Sequence, residues 1–257
     1  MIELTIANGI AEITLNEPSK LNALDDRAFA DLATAYSQAA ESGCRALLLR
    51  AEGRAFCAGR DISGVEATTD DGYAFLADVV TPVLRQISEF PAPTFAAAQG
   101  AALGVGLGLL IATDVVYLSE TARIGSPFAA IGATLDSGGH AYFFERLGAH
   151  RTLDLIFTGE LMSGTSAVAS GLFSRAVADD ALLTTARAAA AAAESGPSQA
   201  FLASKRIIAR LRDDRVGLWA SIDDENREQG RLGASPDYHE GFLAFQQKRK
   251  PAFGAAE

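Results

Sequence analysis

The chain has 257 residues, 49% of them hydrophobic, enough for one large core or a core with a smaller appendage. Its 32 acidic residues against 22 basic ones leave a formal charge of −10, which argues against a general nucleic-acid or anionic-membrane surface. No apolar run reaches the roughly 18 residues that a bilayer span needs, and "MIELTIANGI" lacks the basic and long apolar regions of a secretory signal, so a cytoplasmic location is expected.

The first element is a hairpin: Ile2, Leu4 and Ile6 alternate, Asn8-Gly9 makes the turn, and Ile10, Ile13 and Leu15 follow. Asp25 or Asp26 can cap a helix whose apolar positions are Phe29, Leu32, Ala33 and Tyr36. "RALLLRA" reads as a strand buried on both faces, because its apolar run is short and unbroken. Leu76, Val80, Leu84 and Ile87 mark a helix that stops before Pro91 and Pro93. "TFAAAQG" is the next strand, "GVGLGLLIATD" a glycine-rich helix start and "VVYLS" a further strand. This alternation predicts an α/β domain with both sheet faces covered. From about residue 179 the chain turns helical, with "ALLTTARAAAAAAES" broken at "SGPS", residues 195–198. The division expected is a core over 1–194 and a helical segment over 195–257.

The cysteines, Cys44 and Cys57, are too few for a disulfide framework and read as buried reduced thiols. His140, His150 and His239 share no ligand spacing with other donors, so no metal site is expected. Two glycine-bearing stretches stand out. "GRAFCAGRDIS", residues 53–63, follows the "RALLLRA" strand, and alone it is no more than a tight turn. "QGAALGVGLGLL", residues 99–110, leaves unpartnered amides at a helix start, suited to an anion or an oxyanion. It lacks both the GxxxxGK[ST] phosphate loop and the spacing of a dinucleotide fingerprint.

Taken in order, "NEPSKLNALD", "FCAGRDI", "QGAALGVGLGL" and "PDYHEGFLAFQQKRKPAF" resemble the enoyl-CoA hydratase/isomerase (crotonase) superfamily over almost the whole chain. The resemblance implies a spiral of ββα units with a C-terminal helical trimerisation segment. It also implies a homotrimer or dimer of trimers, and an acyl-CoA thioester as ligand, so that coenzyme A belongs to the substrate and no separate cofactor is bound. It implies further that two backbone N–H groups hold an enolate-like oxygen: those of Arg60, after Gly59, and Val105, after Gly104. Side chains at both places are expected to narrow or reshape that hole. Donors fixed before reaction stabilise the developing charge without reorganising, and losing one typically costs on the order of 3 kcal/mol. By the same resemblance Lys20, Leu21 and Ala23, with Ala58, Gly59, Arg60, Asp61 and Ile62, line the coenzyme A groove, joined by Phe245 and Lys248 from the C-terminal helix. The bland alternative for Lys248 is a solvated basic tail, "QKRK".

Hydratases of this family use two glutamates, and at those positions stand Gly108 and Phe128, neither of which moves a proton. Adding water needs both a base and an acid, so the paired-glutamate route is disfavoured. "LDSGG" instead resembles the "PDxGG" stretch of family isomerases, including those of phenylacetate breakdown, with Leu135 in place of the proline. That makes Asp136 the expected carrier of a proton between C2 and C4 of an enoyl-CoA, with a helix-capping contribution at the same time. Flanking Phe128, Tyr142, Phe143 and Phe144 are candidates to raise its pKa by desolvation. His140 is expected to be a surface or core residue rather than a second base. The remaining readings are another enolate reaction of the superfamily (hydration by an unusual acid, thioester hydrolysis, ring-closing condensation) and a non-catalytic acyl-CoA binding protein.

Overall fold

Strands β1 (Ile2–Ala7) and β2 (Ile10–Leu15) form the antiparallel hairpin, with Ala7 paired to Ile10. Asn8 and Gly9 both take positive φ, 51° and 72°, the geometry of the two-residue turn that Asn-Gly favours. The computed structural model describes residues 1–65, 70–128, 132–215, 226–227, 230–232 and 235–254, apart from the side chains at 242, 243, 245 and 246. Helix α1 (Asp26–Glu41) begins at Asp25, whose side chain accepts from the Ala28 N–H. Strand β3 (Ala46–Ala51) follows, then α2 (Gly72–Ala74), a π-helical stretch (Phe75–Val80) and α3 (Thr81–Ser88). Next come β4 (Thr94–Ala98), β5 (Ala101–Leu103), α4 (Val105–Ala112), β6 (Val115–Ser119) and β7 (Arg123–Gly125). Helix α5 (Gly139–Thr158) breaks at Gly148, and β8 (Met162–Ser163), α6 (Gly164–Ala169) and β9 (Arg175–Val177) complete the sheets. Helices α7 (Leu182–Glu194), α8 (Ser198–Asp213) and α9 (Pro236–Gln246) close the chain.

The main sheet has the order β1-β2-β3-β4-β6-β9, parallel from β2 onward. Its two faces bury alternate residues, as period-2 side chains must. Leu47, Leu49, Ala96, Ala98, Val116 and Leu118 face the core built with α1, α3 and α4. Ala46, Leu48, Phe95, Ala97 and Tyr117 face Leu182, Ala186 and Ala190 of α7. Burial on both sides is why "RALLLRA" shows no polar alternation, and the alanines of α7 let that helix lie close to the sheet. A second sheet, β5-β7-β8, was not foreseen in "QGAALGVG", because three-residue strands carry too little periodicity to read.

The α8 helix is tied to the core through Asp114, whose Oδ2 accepts from Lys205 Nζ at 2.8 Å and from the Thr94 N–H and hydroxyl at 2.9 and 2.8 Å. Cys44 and Cys57 are free and buried, as expected. Among the described residues no helix is long and apolar enough to cross a membrane.

Candidate active site

The two glycine stretches meet edge to edge. Residues 57–61 lie between the 21–24 turn and β5, held on one side by Ala58 N–H to Leu21 O (3.0 Å), Leu24 N–H to Gly59 O (2.9 Å) and Asp61 N–H to Leu24 O (2.9 Å). On the other side Cys57 N–H donates to Ala101 O at 2.9 Å and Leu103 N–H to Cys57 O at 3.0 Å. Because Leu24 bonds the residues flanking Arg60, the Arg60 N–H points away from the 21–24 turn. Among the described residues it has no backbone partner, and neither has the Val105 N–H, the first amide of α4.

Glycine is required where these segments touch. Gly104 has φ 53°, and a Cβ there would stand 2.8 Å from Phe128 Cζ and 4.0 Å from Gly59 Cα. A Cβ on Gly106 would meet Cys57 O at 2.6 Å, so α4 begins directly against the Cys57 segment. Burial pushes the Cys57 thiol up to about 12, which keeps it a neutral packing group, and it lies 3.8 Å from the Gly59 carbonyl oxygen that accepts from it.

The expectation that side chains narrow the space between the two amides is answered by where those side chains go. Val105 is buried in the core, 1% exposed. The Arg60 guanidinium binds both oxygens of Asp70, at 2.7 and 2.8 Å, and lies 3.9 Å above the Phe75 ring at the start of the π-helical stretch. The π-helix is rare and frequent at functional sites. Asp70 was not foreseen, since a paired charge ten residues away leaves no local pattern.

Lys20 Nζ sits 2.7 Å from Asp61 Oδ2. That ammonium, seconded by the Ser63 hydroxyl and N–H, holds the Asp61 carboxyl far below the usual carboxylate range. Leu21 and Asn22 both take left-handed backbone, φ 53° and 56°. Asn22 is fully buried: its amide donates to Glu52 O (2.9 Å) and Ala55 O (2.8 Å) and its oxygen accepts from the Glu17 N–H (2.7 Å). It locks the turn bearing Lys20, Leu21 and Ala23 onto the loop bearing Ala58 to Ile62. Its signal was available, for asparagine tolerates left-handed backbone and bonds locally. Ile62 is 54% exposed. Lys248 is exposed on the C-terminal segment, and among the described residues no hydrogen bond or ion pair joins it to residues 20–24 or 58–62. The Phe245 side chain lies outside the described residues.

The loop before α5 brings Ser137, next to Asp136, against the same helix, α4. A Cβ on Gly108 would stand 2.4 Å from Ser137 Cβ and 2.9 Å from its Oγ, so Ser137 fills the space that a side chain at 108 would take. Gly108 is three residues beyond Val105, about one helical turn. Asp136 caps no helix with its side chain, contrary to the expected contribution: Gly138 is the N-cap of α5, and Asp136 offers only its backbone carbonyl, to Gly139 N–H at 2.8 Å. Its Oδ1 is buried with no hydrogen-bond partner. Burial raises its pKa above the ordinary 3.8; the Ser137 hydroxyl and the residue's own N–H offset part of the rise, although Ser137 Oγ makes no hydrogen bond of normal geometry. Leu135 and Phe143 are buried beside it in sequence, and Phe144 is exposed. His140 is exposed, 3.3 Å from the Thr134 hydroxyl.

Half-buried Asp136, next to the Ser137 that packs on α4 about one turn beyond the free Val105 amide, is an arrangement that known proteins can be compared with. Residues 5–256 match the family model described as enoyl-CoA hydratase/isomerase. A Rhodobacter capsulatus protein named "Probable enoyl-CoA hydratase" is 36% identical over 98% of this chain and 97% of its own. The 1,2-epoxyphenylacetyl-CoA isomerase of Escherichia coli is 30% identical over 96% of each chain. The crystal structure of an enoyl-CoA hydratase from Mycobacterium smegmatis superposes with a TM-score of 0.89 at 28% identity, over 99% of both chains. The spiral α/β architecture is thus that of the crotonase fold, and the chain belongs to the enoyl-CoA hydratase/isomerase family.

Proposed function

We propose that the protein is an enoyl-CoA isomerase that moves a double bond by a 1,3-proton shift, from a 3-enoyl to a 2-enoyl-CoA or on a ring-epoxide phenylacetyl-CoA type of substrate. The observation that carries this is an unspent carboxylate oxygen: Asp136 is half-buried with Oδ1 buried and unpaired, while Gly108 is packed against Ser137 and Phe128 lies against Gly104. Hydration by two glutamates has no residues to run on, whereas one carboxylate suffices for a shift that takes and returns the same proton.

In this reading the Arg60 and Val105 N–H groups donate to the thioester oxygen. Asp136 removes the proton from C2, and the C–H electron pair moves into the carbonyl as an enolate whose oxygen the two N–H groups hold. The acid so formed gives the proton to C4, the double bond settles between C2 and C3, and the thioester carbonyl re-forms with no atom gained or lost. A raised pKa makes Asp136 a stronger base for the first step. Lys20 and the 58–62 segment hold the coenzyme A portion. With this reading go a homotrimer or dimer of trimers, which light scattering tests, and a cytoplasmic working compartment.

The name of the Rhodobacter relative favours hydration as the second reading. Mass analysis of reactions with a panel of acyl-CoA esters separates the outcomes. Isomerisation leaves mass unchanged, hydration adds water, hydrolysis frees coenzyme A, and a binding protein converts nothing. A gain of water with no isomer formed would remove the isomerase assignment.

A further inference from the structure

Arg60 is anchored by its side chain more than by its backbone. Among the described residues neither its N–H nor its carbonyl has a backbone partner; the bonds that fix this stretch belong to its neighbours, Leu24 N–H to Gly59 O and Asp61 N–H to Leu24 O, both 2.9 Å. Gly59, just before it, has φ 107°, where glycine gives the chain a freedom that other residues lack. The far end of the side chain is held on two sides. The guanidinium takes both oxygens of Asp70 and lies 3.9 Å from the centre of the Phe75 ring, and a planar fork of this kind fixes direction as well as distance. Phe75 is itself buried, edge-on to Phe29 of α1 with ring centres 5.8 Å apart, so the clamp closes on the core.

The same helical arm reaches the helix of the other donor. From Phe75 the π-helical stretch runs directly into α3, with Val80, Val83 and Ile87 buried. Leu84 of α3 stands 3.5 Å from where a Cβ on Gly108 would lie, about one turn beyond Val105 in α4. Residues 75–88 thus meet the Arg60 side chain at one end and, further along, the helix that begins with the Val105 N–H.

We propose that the Arg60 side chain is a positioning group for its own N–H: through Asp70 and Phe75 it sets the spacing of the two oxyanion donors against the helical arm that also packs on α4. A neutral thioester carbonyl tolerates a small error in that spacing, whereas the charged oxygen of an enolate does not, so loss of the clamp falls on the intermediate and not on ester binding. The inference rests on the reading of the Arg60 and Val105 N–H groups as donors to a thioester oxygen, but not on which reaction follows.

Acetoacetyl-CoA tests this on the full chain, because its C2 protons lie between two carbonyls and the enolate it forms absorbs in the ultraviolet where the keto form does not. Arg60→Met keeps an apolar stem over Phe75 and removes the fork, and Asp70→Asn keeps the size of its partner and removes the charge. In both variants the ratio of bound enolate to bound keto form is expected to fall about three- to tenfold at fixed pH, while butyryl-CoA affinity stays within about twofold of wild type. The double variant is expected to lose no more than Arg60→Met alone, since both changes break one clamp. If Arg60→Met does not fold, the Asp70→Asn ratio decides alone. An unchanged ratio in the variants, losses that multiply in the double variant, or a butyryl-CoA affinity that falls in step with the ratio each overturns the proposal, the last because it marks a merely structural role. If the wild type binds neither ester, or binds acetoacetyl-CoA without forming enolate, the reading of the two amides falls together with it. If the variants behave as expected while the wild type isomerises no enoyl-CoA, only the isomerase assignment is lost.

Discussion

Replacing Asp136 by Asn keeps the side chain's size and removes its charge, so activity and stability are expected to move in opposite directions. Losing a positioned base lowers turnover by about 10²–10⁴-fold, or roughly 3–5 kcal/mol on the barrier. Acyl-CoA affinity stays within about threefold of wild type, a tolerance set by the expected neutrality of remote binding contacts. Asp136 is half-buried with Oδ1 buried and unpaired, and an unsatisfied buried polar group typically costs about 1–3 kcal/mol. Its pKa is raised on folding, so the ionised form opposes the folded state. Below the ordinary value of 3.8 Asp136 is protonated in both states and opposes nothing; as pH rises through the raised value its destabilisation grows to its full size. The Asn variant is therefore expected to melt about 2–6 °C higher than wild type at pH 8, with a smaller gain at pH 5. Steady-state isomerisation and calorimetric melting at the two pH values check this. Wild-type turnover in the variant, or a melting temperature that falls at both pH values, refutes the assignment of a strained, functional carboxylate.

The Gly108→Ala variant would place a Cβ 2.4 Å from Ser137 Cβ, so the loop bearing Asp136 must shift. Turnover is expected to drop at least tenfold, with about 1–3 kcal/mol lost in denaturant unfolding; unchanged kinetics would mean that the loop position is irrelevant. Asp70→Asn weakens the fork that draws the Arg60 side chain toward Phe75. A fall of about three- to tenfold in kcat with little change in KM is expected, with little change in stability because the pair is partly exposed. Asp25→Ala removes the cap on α1 and should cost about 1 kcal/mol in urea melts without altering kcat. The acid limb of the rate profile should lie above the ordinary aspartate value, because the base must be ionised and burial raises its pKa. A limb at or below 3.8 contradicts that placement.

Much of the fold was legible because local chemistry and tertiary demand agree at those places. Asn8-Gly9 can take the turn that the hairpin needs, Asp25 finds the Ala28 N–H, and the unbroken apolar run of β3 matches a strand covered on both faces. The alanine run of α7 foretold a helix, although not that it would cover the second face of the sheet. The second sheet, the π-helical stretch and the partnering of Arg60 with Asp70 and Phe75 left no readable period or motif.

The same division holds at the site. The residue types and their order along the chain, a lone acid with Gly108 and Phe128 at the glutamate positions, are properties of the sequence alone, because they depend on chemical identity and not on distance. Whether Asp136 caps a helix or stands as an unpaired buried acid was decided only in three dimensions. There Gly138 takes the cap, Ser137 settles on Gly108, and the surrounding side chains withdraw water from the carboxylate. Desolvation and orphaned hydrogen bonds are sums over neighbours from distant parts of the chain, and no one-dimensional pattern records them.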